Sequence, residues 1–310
     1  MKNSSINGKK LLKLLMLKFL TSDIINMIVN IVIPCILSVH CTKYIKNNKT
    51  WWIITCSLVL IIIIYNIFST VARKINQKNI RLLNIVYNCY NEQRMINCQF
   101  ATKIYRLNNT IMNYVSSKTR IDKKALDNFA DFQSVSFDVC QSIHKILNEE
   151  FGEDILCEVT LMKKEKNIIK MVAYANNNGE MPSSYKEKFA LKNSDVYFVR
   201  LFNNLNAKIV CLSTQEDISK NFKMLNGSNE REKNICQYVG IPVKTNRNEI
   251  EFLLQVDVSK PKILGKNEKQ MKTFANNVFY PYAVLLHKTY ERDLIFNKYY
   301  DMLGIMLSNK

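Results

Sequence analysis

Residues 51–71 read WWIITCSLVLIIIIYNIFSTV, a run of twenty-one positions without a charge. As a helix rising about 1.5 Å per residue it spans roughly 31 Å, the thickness of a bilayer hydrocarbon core. A backbone in lipid has no water to bond, so an apolar run of this length is helical. Trp51 and Trp52 stand at one edge, where amphipathic rings favour the headgroup level, and Arg73 and Lys74 close the other. A soluble helix of this length normally carries a polar face, and the charges such a face would hold are missing here.

Upstream lies a second, less pure apolar run, Ile24 to His40. Asn26, Asn30, Pro34 and Ser38 recur in it every fourth residue and share one helix stripe. Two readings follow. In one, the run is a hairpin partner whose stripe packs on Thr55, Ser57 or Tyr65. In the other, the stripe lines a water-filled path, as in an effector that permeabilises the membrane when a ligand binds. Five lysines precede the first run (2, 9, 10, 13 and 18), and Arg73, Lys74, Lys78 and Arg81 follow the second. The short link between the runs carries Lys43, Lys46 and Lys49 alone, so the charge bias places both termini in the cytoplasm of a multi-pass membrane protein. The leucine–lysine segment 9–20 reads as an interfacial helix.

The net charge of +18 is unevenly spread. Residues 1–120 hold 17 Lys and Arg against 2 Asp and Glu, whereas residues 121–310 hold 27 against 24. Basic charge concentrated beside the spans is attracted to an anionic leaflet by about 1 kcal/mol per residue. The expected partner is therefore the lipid bilayer and not nucleic acid. Nine scattered cysteines without a CxxC pair fit a reducing compartment and indicate neither a disulfide framework nor a metal site.

From Cys35 to Phe151 there is neither Gly nor Pro, so nothing local stops a helix. Val86, Tyr90, Phe100, Ile104, Leu107, Ile111 and Tyr114 recur at 4,3 spacing, with Gln93 and Asn97 at the two seam positions between. This is the pattern of a coiled coil and a homodimer, or of one helix packed on its own domain. A polar break at Ser116–Lys124 marks a boundary. Ala125–Glu150 has helical periodicity and stops before Gly152.

The period then changes to two. Ile155–Lys163 and Asn167–Asn176 form a hairpin, and Asp195–Asn206 a helix N-capped by Ser194. Lys208–Leu212 is a short strand, and a polar excursion over 213–234 holds a short helix near Ile218–Leu225. Gln237–Thr245 and Glu249–Ser259 form a second hairpin, with Ile250, Phe252, Leu254, Val256 and Val258 on one face. A long helix opened by Asn267 and Glu268 follows and is bent at Pro281. The fold class is α+β, an antiparallel sheet with helices on one face. The expected organisation is a basic flank over 1–23, a transmembrane hairpin over 24–71 and a linker helix over 72–120. The domain follows over 121–300, with a tail over 301–310.

Residues 237–286, QYVGIPVKTNRNEIEFLLQVDVSKPKILGKNEKQMKTFANNVFYPYAVLL, carry a recognisable closing pattern. A strand ends in a hydrophobic–Pro step (Ile241–Pro242), a hairpin leads to a strand ending near Asp257, and Glu268 opens a long helix. The pattern resembles that of GAF-type domains, and the resemblance extends over roughly residues 125–296. It implies a cytoplasmic regulatory module, often dimeric, that binds a small molecule or a downstream protein and signals through its terminal helices. It also places a pocket between the sheet and the helix–loop excursion, lined by Tyr174, Tyr197, Phe198, Phe202, Thr214 and Gln255. The Asn-Lys-Phe…Asp-Glu signature of cyclic-nucleotide-binding members is absent, as is a Cys–His pair for attaching a bilin.

No P-loop, GxSxG or HExxH motif occurs, so neither an enzyme nor a cofactor is expected. His144, among Ile143 and Ile146, and His287 read as structural. Cys211, at the end of a strand, reads as a packing thiol before a redox one.

Overall fold

The computed structural model describes residues 16–35, 37–38, 49–117, 132–152, 154–192, 196–204, 206, 208–222, 234–244 and 249–308. The link at 41–48, most of the polar break, Ser194, the turn at 245–248 and most of segment 9–20 lie outside them. The chain forms two compact units, Met1–Asn84 and Ile85–Lys310.

In the first unit, α1 (Asp23–Met27) runs into a π-helical turn at Ile28–Val32, and α2 (Lys49–Ser117) begins. Helix α2 is the one described helix long and apolar enough to cross a membrane. Much of its apolar stretch is uncovered by protein: Ile53 is 67% exposed and Leu60, Ile61, Ile67 and Phe68 are each 59% exposed. The polar stripe of the upstream run is satisfied within this unit. Tyr65 Oη donates to Asn26 Oδ1 at 3.2 Å, and Asn66 Nδ2 donates to Asn30 Oδ1 at 2.8 Å. Ser69 Oγ lies 2.8 Å from the Leu20 carbonyl and 3.0 Å from Asn26 Oδ1. Of the three expected packing partners, Tyr65 meets the stripe, while Ser57 donates to its own helix at the Ile53 carbonyl.

The second unit is built on a six-stranded antiparallel sheet in the order β3-β2-β1-β6-β5-β4. Its strands are β1 (Cys157–Glu165), β2 (Ile168–Asn176), β3 (Lys188–Ala190), β4 (Val210–Leu212), β5 (Gln237–Lys244) and β6 (Ile250–Val258). Both expected hairpins form, and β1 and β6 pair at the centre with Val159 opposite Val256.

The long helices α3 (Phe132–Phe151), α6 (Glu268–Val278) and α7 (Tyr280–Ser308) share one core with the sheet. Gly152, at φ +96°, ends α3 in the left-handed conformation that favours glycine. Asn267 opens α6 by accepting from Gln270 N at 3.0 Å. The bend expected at Pro281 appears as a break at Phe279 between α6 and α7, and α7 continues through the expected tail to Ser308.

Three expectations are corrected. Helices cover both faces of the sheet and not one. The short α4 (Tyr197–Asn203) and α5 (Gln215–Asn221) close the second face over a separate core that includes Met162, Ile169, Phe202 and Leu253. Helix α4 starts at Tyr197 after Val196, which makes no side-chain cap. Ile250 does not share a face with Phe252: a bulge opposite Val243–Lys244 skips Glu251 and turns Ile250 into the second core.

The linker stripe also lies one position away from the expected seam. Ile85, Cys89 and Ile96 are buried in the first core, with Val86 and Ile104 partly buried against it, whereas Tyr90 is 62% exposed. This part of α2 packs on the α+β domain, the second of the two readings left open above, and Tyr282 Oη approaches the Cys89 carbonyl at 3.5 Å.

Candidate functional site

The structure places five of the six expected lining residues at the second core: Tyr197 and Phe202 within it, Tyr174 and Phe198 packed against it, and Gln255 bonded to its Tyr238. Tyr197 and Phe202 lie on α4, both buried. The Tyr197 ring stands 5.5 Å from Tyr238 and 5.2 Å from Phe222. Gln255, on β6, accepts from Tyr238 Oη at 2.9 Å and donates through Nε2 to Thr160 Oγ1 at 3.0 Å. Burial pushes the Tyr197 hydroxyl up to about 12 and the Tyr238 hydroxyl well above its usual value, so both stay protonated. Phe198 packs against the same core through an edge-on contact with its Phe189 at 5.0 Å, and Thr214 caps α5 by accepting from Asp217 N at 3.1 Å.

Tyr174 packs against the second core from its margin. Its ring meets Phe137 of α3 at 5.7 Å and Tyr185 at 5.2 Å, at the mouth of a cleft of about 530 Å³. One wall is α2, through Glu92, Ile96 and Gln99. The opposite walls are α3, through Asp138, His144 and Lys145, and the end of β2, through Asn176. The volume falls within the range of small-molecule sites.

The cleft has a defined polar order. Lys145 Nζ pairs with Glu92 Oε1 at 3.1 Å, joining α3 to α2. Asn177 accepts from Cys157 N at 2.8 Å and donates to the Ile155 carbonyl at 3.0 Å, which fixes its amide orientation. Its Oδ1 lies 3.3 Å from His144 Nε2, a nitrogen that also faces Asn148 Nδ2 at 3.2 Å. Burial pulls the His144 pKa down, against the opposing pull of the Asn177 bond, which keeps the ring neutral. Asn176 donates through Nδ2 to the Glu180 carbonyl at 2.9 Å, yet its Oδ1 is buried without a partner. A buried carbonyl oxygen without a donor costs about 1–3 kcal/mol, which a ligand N–H or O–H would recover. The wall thus offers one vacant acceptor, a neutral imidazole and a charge pair.

Sequence reasoning marks Tyr174 and His144 but misses Glu92, Lys145 and Asn176. Glu92 and Lys145 are 53 residues apart, and only the packing of α2 on the domain brings them together. Burial pushes the Cys211 thiol up to about 12, in keeping with a packing role. Among the described residues, no three His, Cys, Asp or Glu side chains converge as a metal site requires.

No protein-family model and no curated protein matches this chain. Among solved structures, it is similar to the type II free methionine-R-sulfoxide reductase of Thermoplasma acidophilum, at 15% identity over 51% of this chain and 96% of that one, with a TM-score of 0.35. It is similar to the blue-light-absorbing form of the Thermosynechococcus elongatus PixJ GAF domain, at 12% identity over 56% and 95% of the two chains and a TM-score of 0.38. A GAF domain/HD domain protein from Geobacter sulfurreducens matches at 9% identity over 53% and 97%, with a TM-score of 0.35. The architecture is read from the sheet order itself, an antiparallel sheet with packed helices as the sequence resemblance implies.

Proposed function

We propose that this chain is a membrane-anchored, non-enzymatic regulatory protein whose GAF-like domain takes a small polar ligand and signals through α2. One observation carries the reading. Helix α2 is unbroken from Lys49 to Ser117, so the uncharged 51–71 run and the cleft residues Glu92 and Gln99 belong to a single helix. A ligand donating to Asn176 Oδ1 would sit against that helix and bias the Lys145–Glu92 pair. The apolar run anchors the chain, the 24–38 segment packs beside it as a hairpin, and both termini face the cytoplasm. The bonds from Tyr65 and Asn66 to Asn26 and Asn30 favour a packed stripe over a water-lined path. A homodimer through the exposed side of α2, where Tyr90 lies, fits the same scheme.

The test uses the full chain in lipid nanodiscs. Thermal shifts are read against a set of nucleobases, amino acids and amides. The reading expects at least one stabilising compound whose effect is lost in Asn176→Leu and Glu92→Gln and which slows amide exchange over residues 92–99. Compounds that stabilise all three proteins equally would place ligand binding elsewhere. Recovery of the chain in the supernatant after alkaline carbonate washing would remove the anchor.

A further inference from the structure

A second cleft, of about 600 Å³, opens on the other side of the same unit, between the end of β5 and the helices α6 and α7. Its floor is apolar, with Pro242 and Val243 from β5 and Ala283 and Val284 from α7. Its rim holds Lys208, Lys244 and Lys272 and no acidic residue. Residues 121–310 carry nearly balanced charge, 27 basic against 24 acidic, so three lysines around one concavity are a local concentration of one sign. Like charges around an apolar floor repel one another unless an anion sits between them.

Lys244 has an interaction of its own, and the other two lysines differ in theirs. Lys208 forms no ion pair among the described residues, and Lys272 pairs with Glu268 four residues earlier on the helix surface. Such exposed pairs contribute little and yield readily to a stronger partner. Tyr280, 48% exposed at the start of α7, has no ring partner among the described residues and offers a bare aromatic face beside the floor. In the wall, His287 faces Glu291 through Nε2 at 3.4 Å, while its Nδ1 is buried and unpartnered. A basic rim, a flat apolar floor, an uncovered ring and an unused hydrogen-bonding nitrogen are complementary to one kind of molecule.

We infer that this cleft binds an organic phosphate. Its phosphate lies among Lys208, Lys244 and Lys272, and its ring-bearing body rests on Pro242, Ala283 and Val284 against Tyr280. Lysine recognises phosphate as a point charge and needs no bidentate geometry, which suits three ammonium groups on flexible stems. The site is separate from the Asn176 cleft and stands or falls independently of it.

The experiment follows 4-fluorophenyl phosphate by fluorine NMR in the presence of the full chain in phosphatidylcholine nanodiscs, with empty nanodiscs as the blank. The expected result is saturable line broadening, reversed by unlabelled phenyl phosphate and far less by inorganic phosphate. Lys208→Ala and Lys272→Ala each weaken binding about tenfold, as loss of one charge-assisted contact does. Tyr280→Ala weakens it severalfold, and Lys188→Ala, on β3 at the opposite edge of the sheet, leaves it unchanged. Unfolding curves of the variants confirm that these surface changes leave the fold intact. Nanodiscs containing phosphatidylglycerol identify the source: competition marks a lipid headgroup as the natural phosphate, and its absence marks a soluble one. Absence of saturable broadening overturns the assignment, as does broadening that survives the triple lysine-to-alanine variant. Equal competition by inorganic and phenyl phosphate removes the role of the apolar floor and overturns the organic-phosphate assignment.

Discussion

Tyr238 donates its hydroxyl hydrogen to Gln255 Oε1 at 2.9 Å, and Gln255 in turn donates to Thr160, tying β5, β6 and β1 together inside the second core. All three residues are buried, so no water replaces a lost partner. Tyr238→Phe leaves the Gln255 carbonyl oxygen unsatisfied and is expected to cost about 1–3 kcal/mol of stability. Removing both ends, in Tyr238→Phe with Gln255→Leu, is expected to cost less than the sum of the single changes. Urea unfolding of the four proteins measures the coupling.

Gly240 sits beside the same ring. A Cβ there would lie 2.8 Å from Tyr238 Oη and 3.1 Å from its Cε1. The ring is held by Tyr197, Phe222 and Gln255, so it has nowhere to retreat. Gly240→Ala is expected to destabilise by roughly 1–3 kcal/mol through overpacking, and by less when Tyr238 is already Phe. Unfolding midpoints of the paired variants decide it.

Thiol reactivity should follow burial. Cys89 and Cys211 are pushed up to about 12 by burial, and burial also pushes Cys140 and Cys157 well above the usual thiol value. Only the thiolate attacks a maleimide, so these four are expected to stay unmodified in the folded chain at pH 7.5. Cys98 is exposed on α2 and should react first, ahead of the half-buried Cys236. Cys35 and Cys56 are exposed to lipid in the proposed topology, and a charged maleimide should reach them only after detergent is added. Mass spectrometry of the modified sites checks each assignment.

His144 gives the domain a pH dependence of known sign. Its pKa is lowered from 6.5 by burial, so the unfolded chain takes up the proton more readily than the folded one. Its contribution to stability is therefore present above about pH 6.5 and is lost as pH falls through the folded-state value. Denaturation at pH 7.5 and 5.5 should show a smaller drop for His144→Gln than for the parent chain. An equal drop would assign the dependence to other groups.

Local rules in the sequence locate most of the elements. Gly152 stops α3, Asn267 starts α6, and alternation marks both hairpins, because each of these is a property of a few adjacent residues. What depends on distant packing is less visible. Along α2, Ile85 and Val86 are both apolar, so two neighbouring stripes compete, and contact with the domain core selects the one through Cys89 and Ile96. The bulge at Glu251 breaks an alternation that nothing in the local sequence interrupts. The candidate pocket shows the same limit. Aromatic residues such as Tyr197 and Phe202 suit a ligand wall and a packed interior equally, and the structure uses them for the interior. The Asn176 cleft is assembled from α2, α3 and β2, and no short motif spans them.

The sheet finishes on each side in a strand of only three residues, Lys188–Ala190 and Val210–Leu212. A flanking strand that short offers few free amides and carbonyls for another polypeptide to zip onto. Fibril growth by lateral stacking is therefore disfavoured, even in a chain so rich in isoleucine. Two copies that associate through this domain must meet along helical surfaces, which can slide or rotate past each other without tearing a ladder of backbone bonds.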